Sequence, residues 1–76
     1  MAMSIYSKPG TRVVFAYPNA GYDSDQQDAR EFLEYERYYT VESVSVHDSK
    51  SYVYLEEVPG FGFNTVLFED ADNYRY

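Results

Sequence analysis

The sequence contains no cysteine. Neither a disulfide nor a thiolate metal site can therefore stabilise the chain, and a reducing, cytosolic setting is favoured. The first ten residues, MAMSIYSKPG, hold no apolar run long enough for a signal peptide or a membrane span. No internal repeat or low-complexity segment is visible. We therefore expect a soluble, intracellular protein.

Basic residues are scarce. Six Lys and Arg residues face 13 Asp and Glu residues, which gives a formal net charge of −7. Nucleic acid and anionic lipid repel a chain of this charge, so we expect no direct binding to nucleic acid or to a membrane. The surfaces that attract such a chain are basic.

Aromatic residues are abundant, with ten tyrosines and five phenylalanines. That is too many for a disordered acidic tail. Tyrosine favours interfaces because it joins a large contact area to a polar tip. A domain this small buries only about 60% of its unfolded surface, so its core must be dense or shared with a second copy. We expect one domain over residues 1–76, acting as a binding protein and forming a homodimer with tyrosines at the interface.

Alternating apolar residues and turn residues predict a mainly β fold. Strand-like runs occupy residues 11–17, 38–46, 51–58 and 63–70, with turns at 47–50 and 59–62. The last run is entered through one helical turn. Many short strands of this kind are typical of a small SH3-like antiparallel barrel of five strands. The tail over residues 71–76 is polar and aromatic, and it either frays or serves an interface.

One short helix is predicted after the first strand, at residues 25–35, with Asp23 or Ser24 as its cap. In the run 38–46, strict alternation places Tyr39 and Val41 on the same face as two serines, Ser43 and Ser45. The expected core consists of Val13, Phe15, Phe32, Leu33, Val41, Val53, Leu55, Val66 and Phe68.

Six acids crowd the segment from Tyr22 to Arg37 and form the candidate partner-binding surface: Asp23, Asp25, Asp28, Glu31, Glu34 and Glu36. Asp28, Glu31 and Glu34 are spaced by three, opposite the apolar helix face. Carboxylates one helical turn apart lie about 5–6 Å from each other, an order of spacing similar to that of phosphates in DNA. The segment is therefore either a solvated charged face or a surface that imitates DNA.

A metal site fits the same segment poorly. Asp23, Asp25, Gln27 and Glu34 fall at the first, third, fifth and twelfth positions of a calcium loop. The sixth position is Asp28, where the sharp turn of such a loop requires glycine. We expect no metal and no cofactor.

Residues suited to catalysis occur without the companions that catalysis needs. His47 lies in a hairpin turn beside Asp48, and no nucleophile motif accompanies it. The adjacent Glu56 and Glu57 point to opposite faces of a strand, so they cannot form a glycosidase pair. The glycines of PGFG lack the helix and lysine of a phosphate loop. We expect no catalytic residues and no enzymatic activity.

The stretch NTVLF has two interpretations. Asn64, Leu67 and Phe68 approximate the peptide by which bacterial sliding-clamp ligands bind, with Asn in place of Gln. The alternative, which we favour, is that Val66 and Phe68 belong to the barrel core, because a folded strand cannot offer such a peptide.

Several stretches resemble a family of small acidic SH3-like proteins of Gram-positive phages and prophages. They are GYDSD, YYTVESV, VYLEEVPG and FNTVLFED, and the likeness extends from about Gly21 to Glu69. Members usually carry a Gly-Lys pair before the Tyr-Thr-Val strand, where this chain has Glu36 and Arg37. In size, acidity and expected fold the chain resembles the staphylococcal-phage inhibitor of the host DNA sliding clamp.

The resemblance implies a non-enzymatic protein that shuts down host replication in the cytoplasm of the infected bacterium. Its partner would be the sliding clamp, the DNA polymerase III beta subunit, whose channel is lined with Lys and Arg. One alternative is an anti-restriction or anti-CRISPR protein that binds a host nuclease. Another is an accessory interaction domain without DNA mimicry.

Overall fold

Five strands and one α-helix make up the described part of the chain. The structure is a computed structural model, and it describes residues 2–74. No helix in this range is long and apolar enough to cross a membrane. Single 3-10 turns follow the fourth and fifth strands. The elements are β1 (Arg12–Phe15), α1 (Asp23–Phe32), β2 (Tyr38–Val46), β3 (Ser51–Leu55), β4 (Val58–Asn64), a 3-10 turn (Thr65–Leu67), β5 (Phe68–Asp70) and a 3-10 turn (Ala71–Asn73).

The five strands form one antiparallel sheet in the order β4-β3-β2-β1-β5. β1 to β4 follow one another as a meander, and β5 returns to pair with β1. β2 pairs with β1 through its first residues and with β3 along most of its length, so it joins the two halves of the sheet. This arrangement confirms the small SH3-like antiparallel barrel, with the helix inserted after the first strand.

Most of the predicted core is buried. Phe68 is fully buried, with its ring centroid 6.0 Å from that of Phe15 and 6.4 Å from that of Phe63. Helix α1 contributes Ala29 to the core, and Leu33, the first residue after the helix, is also buried. Seven of the nine expected core residues are confirmed: Val13, Phe15, Leu33, Val41, Val53, Leu55 and Phe68.

The other two core predictions are wrong. Phe32 is 44% exposed because it lies in the last turn of α1, at the edge of the helix–sheet contact. Val66 is 37% exposed because residues 65–67 form a 3-10 turn instead of a strand. In that turn Leu67, rather than Val66, packs in the core and is fully buried.

The predicted alternation along β2 is also wrong beyond Val41. The pairing with β3 shifts between Val41 and Ser43, as at a β-bulge. A bulge inserts one residue and exchanges the two faces of the strand that follows. Val44, rather than Ser43, therefore packs against the core.

The turn between β3 and β4 lies earlier than predicted. Glu56 and Glu57 form it, and PGFG belongs to β4. The Glu57 carboxylate accepts hydrogen bonds from the backbone N–H of Thr40 (2.8 Å) and from the Thr40 hydroxyl (2.9 Å). Burial raises the pKa of Glu57, but these hydrogen bonds outweigh it and hold the pKa below its usual value. Position 62 in β4 favours glycine, because a Cβ there would lie only 3.1 Å from the Tyr54 ring.

Candidate partner-binding surface

The acidic segment begins with a helix start that differs from the prediction. Tyr22, rather than Asp23 or Ser24, is the N-cap residue, and α1 starts at Asp23. The backbone N–H of Tyr22 donates to Oδ2 of Asp25 at 3.0 Å. Asp25 therefore satisfies a backbone donor at the helix start, as the third residue of a capping box does.

Asp25 is not part of the exposed surface, contrary to the prediction. It is only 8% exposed. Its Oδ2 also accepts a hydrogen bond from Nδ2 of Asn64 at 3.1 Å, and its Oδ1 lies 3.8 Å from Nζ of Lys50. The carboxylate therefore ties the start of α1 to the end of β4 and to the β2–β3 hairpin.

Lys50 completes this network from the hairpin side. Its Nζ lies 5.1 Å from the ring centroids of both Tyr22 and Tyr52. A hydrogen bond with Tyr52 raises the pKa of Lys50, and the nearby Asp25 adds to the rise. The hairpin is thereby held beside the N-terminal end of α1.

Removing the Asp25 carboxylate should destabilise the fold. We expect Asp25→Ala to lower the free energy of unfolding by about 2–4 kcal/mol, because the backbone N–H of Tyr22 and the buried amide of Asn64 lose their acceptor and Lys50 loses its nearby carboxylate. Urea denaturation of the variant beside Asp23→Ala measures this. Asp23 is exposed in the same helical turn and should change stability by less than about 1 kcal/mol. Equal losses in the two variants would contradict the role of Asp25.

The stretch NTVLF could act as a clamp-binding peptide only if its key side chains were accessible. Asn64 is 4% exposed, and its Oδ1 accepts from the backbone N–H of Val66 at 3.1 Å. Leu67 and Phe68 are fully buried. All three residues that resemble a clamp-binding peptide are therefore buried. This agrees with the core interpretation for Phe68, but not for Val66, which is exposed.

The five remaining acids do not form one continuous ridge. Helix α1 ends at Phe32, and the following residue, Leu33, is extended. Asp28 and Glu31 therefore share the helix, while Glu34 lies beyond it. Asp23 and Glu31 are exposed, Asp28 is half-buried, and Glu34 is exposed.

The two arginines of the segment lie towards its C-terminal end. Nη1 of Arg37 lies 2.7 Å from Oε2 of Glu34, and this carboxylate raises the pKa of Arg37. Arg30 donates to the side chain of Gln26 at 3.3 Å. Neither Asp23 nor Asp28 forms an ion pair with any of residues 2–74. At the start of α1, Lys50 lies beside the buried Asp25, so the charge left without an ion pair in this half of the helix is that of Asp23 and Asp28.

Glu36 occupies a turn rather than a helix face. Its φ is 66°, in the left-handed region that favours glycine. Glycine, the residue that the resemblance implies at this position, adopts this φ without strain. The Tyr74 hydroxyl donates a hydrogen bond to the Glu36 carboxylate, which raises the pKa of Tyr74. The tail thus packs on the acidic segment as far as Tyr74, and residues 75–76 lie outside the described residues.

The residues considered for catalysis have structural partners. His47 is exposed, its Nε2 lies 3.0 Å from the Ser45 hydroxyl, and its ring meets Tyr52 edge-on. Glu57 is engaged by Thr40. Within residues 2–74, no group of three or more His, Cys, Asp or Glu side chains could hold a metal ion.

Comparison with known proteins gives one finding. No curated protein matches the chain, and no solved structure does. The family model described as bacteriophage T4 protein Y07B matches residues 4–75. This match supports the phage part of the resemblance described above, while its Gram-positive origin stays a prediction. Because the match spans nearly the whole sequence, the chain belongs to the family of bacteriophage T4 protein Y07B.

Proposed function

We propose that this phage-family protein is a non-enzymatic inhibitor that binds a basic, DNA-accepting surface of a host protein. It would act in the cytoplasm of the infected bacterium. The observation that carries the proposal is the surplus of carboxylates at the surface. Of the thirteen acids, only Asp25 and Glu69 are buried.

Physical chemistry links this surplus to the class of target. A compact particle of net charge −7 attracts basic surfaces over a distance of about one Debye length, roughly 8–10 Å at physiological salt. A protein surface built for DNA also releases bound anions or water when it meets fixed carboxylates. Its affinity for them should therefore fall with added salt, as it does for DNA. Asp23, Asp28 and Glu31 on α1 supply carboxylates on a rigid support.

The bacterial sliding clamp is the target that we propose within this class, and it rests on the resemblance to the staphylococcal-phage inhibitor. A ring that encircles DNA presents Lys and Arg to it. The described residues extend 27 × 27 × 23 Å, so one copy is of the same order of width as a duplex. A homodimer would present two sets of carboxylates, as a duplex presents two strands.

Binding to a purified clamp tests the proposal. The affinity should be measured at 50 mM and 200 mM salt, with clamps from a Gram-positive and a Gram-negative bacterium. We expect binding to at least one clamp, weakened by salt. If neither clamp binds, but a restriction or CRISPR nuclease is captured with the same salt dependence, DNA mimicry stands and the clamp is the wrong target. Binding that does not respond to salt would overturn the electrostatic mechanism.

A further inference from the structure

Phe32 is an aromatic side chain that the last turn of α1 leaves at the surface. It is 44% exposed, although its ring centroid lies 4.7 Å from that of Phe61 and 6.3 Å from that of the buried Phe63. These two rings of β4 hold it from one side, while the rest of the ring faces solvent. A restrained aromatic ring of this kind can bind a partner without the entropic cost of ordering a mobile side chain.

The groove beside this ring is more acidic than basic. It has a volume of about 380 Å³, and its charged lining residues are Glu31, Glu34, Glu57, Arg30 and Arg37. Glu34 and Arg37 form an ion pair with each other, and the Arg30 guanidinium donates to Gln26, one helical turn back towards the start of α1. Among the lining residues, two carboxylates are therefore opposed by one arginine, whose charged end is engaged outside the groove.

The helix adds negative charge on both sides of Phe32. Asp28 precedes Phe32 by four residues in α1, so the two side chains are neighbours on the helix surface. Asp28 forms no ion pair with any of residues 2–74. Phe32 is also the last residue of α1, and the C-terminal end of a helix carries a partial negative charge. A cation is therefore the electrostatic complement of the surface around this ring.

We propose that Phe32 and the groove beside it bind an arginine of the basic target. The planar guanidinium stacks on the exposed side of the Phe32 ring and is attracted by the carboxylates of Asp28 and Glu31 on either side. A lysine ammonium is a compact, strongly hydrated charge and has no plane to stack, so it binds this surface less well. The inference rests on the proposed function, because it names a side chain by which a DNA-accepting surface would be recognised.

Two peptides of equal charge and length, nona-arginine and nona-lysine, test this contact without any clamp. Their affinities for the protein are measured by fluorescence anisotropy of labelled peptides at about 100 mM salt. We expect the wild type to bind nona-arginine roughly fivefold more tightly than nona-lysine. Phe32→Leu keeps an apolar side chain but removes the ring. It should abolish this preference and leave the affinity for nona-lysine nearly unchanged.

Matched variants separate the groove from the rest of the acidic surface. Tyr35→Leu removes a ring that is 58% exposed in the same acidic segment but outside the groove, and it should keep the preference for nona-arginine. Glu31→Gln should weaken the binding of nona-arginine more than Glu42→Gln does. Both changes remove one exposed charge, but Glu42 lies outside the groove. Circular dichroism of each variant checks that it is folded.

Several results would overturn the arginine site. They are equal binding of the two peptides to the wild type, binding of neither, and an unchanged preference in Phe32→Leu. Equal weakening by Glu31→Gln and Glu42→Gln would also overturn it. If the preference depends on Phe32 and no clamp is bound, the arginine site stands and the clamp is the wrong target. If a clamp is bound and the peptides bind equally, the arginine site is wrong and the proposed function stands.

Discussion

Truncation of Phe68 to alanine should lower the free energy of unfolding by about 3–5 kcal/mol. The side chain is fully buried and packs between Phe15 and Phe63, so its removal leaves a cavity that the rigid barrel cannot close. A domain of this size has a total stability of roughly 4–11 kcal/mol. Guanidinium denaturation should therefore show a variant that is largely unfolded in buffer, or that unfolds at a far lower guanidinium concentration than the wild type.

Val66→Ala is the matched control, because Val66 is two residues away and was expected in the same core. It is 37% exposed, and its truncation should cost less than about 1 kcal/mol. A melting curve unchanged by Phe68→Ala would contradict the core. A loss at Val66 as large as that at Phe68 would contradict the 3-10 turn and favour a continuous strand.

Reversal of two charges on α1 should have the largest effect on binding. We expect the Asp23→Lys, Asp28→Lys variant to bind the host clamp at least about tenfold more weakly, with slower association and a weaker dependence on salt. Neither residue forms an ion pair with the described residues, and Asp23 is exposed in the first turn of α1. Affinities at two salt concentrations measure the effect.

A second double variant separates local from overall charge. Glu42→Lys, Glu56→Lys also moves the net charge from −7 to −3, but both residues are exposed outside the helix. We expect it to weaken binding less. Equal loss in the two variants would mean that only net charge matters, and no loss in either would leave α1 as a solvated face. Reversal of a surface charge costs on the order of 0.3–1 kcal/mol, whether it lies near the start of a helix or outside it, so both variants should fold.

The fold was largely predictable because alternation reports which side of a strand is buried. Val53 and Leu55 lie in β3, where burial alternates with period two. Val13 and Phe15 lie in β1, whose short apolar run is buried on both faces. The predictions failed where the backbone leaves that period. The bulge after Val41 and the 3-10 turn at residues 65–67 each exchange the inward-facing and outward-facing residues. The amino-acid propensities of these segments predict neither the bulge nor the turn.

The candidate surface was predictable in composition but not in arrangement. Asp25 was placed in the candidate surface as one of six acids in a short segment, because sequence separation cannot show that Asn64 and Lys50 approach it from other elements. The end of α1 before Glu34 was equally hidden, since no glycine or proline marks it. One departure from the resemblance did mark a structural feature. Glu36 stands where the resemblance implies glycine, and its backbone adopts the left-handed conformation that favours glycine.

Competition with DNA tests the central claim most directly. Labelled duplex DNA bound to the purified host clamp should be titrated with this protein while fluorescence anisotropy is recorded. If the acidic surface occupies the DNA-accepting surface, the DNA should be displaced, and the Asp23→Lys, Asp28→Lys variant should need a much higher concentration to displace it. Formation of a ternary complex, in which the clamp holds the protein and the DNA together, would contradict DNA mimicry.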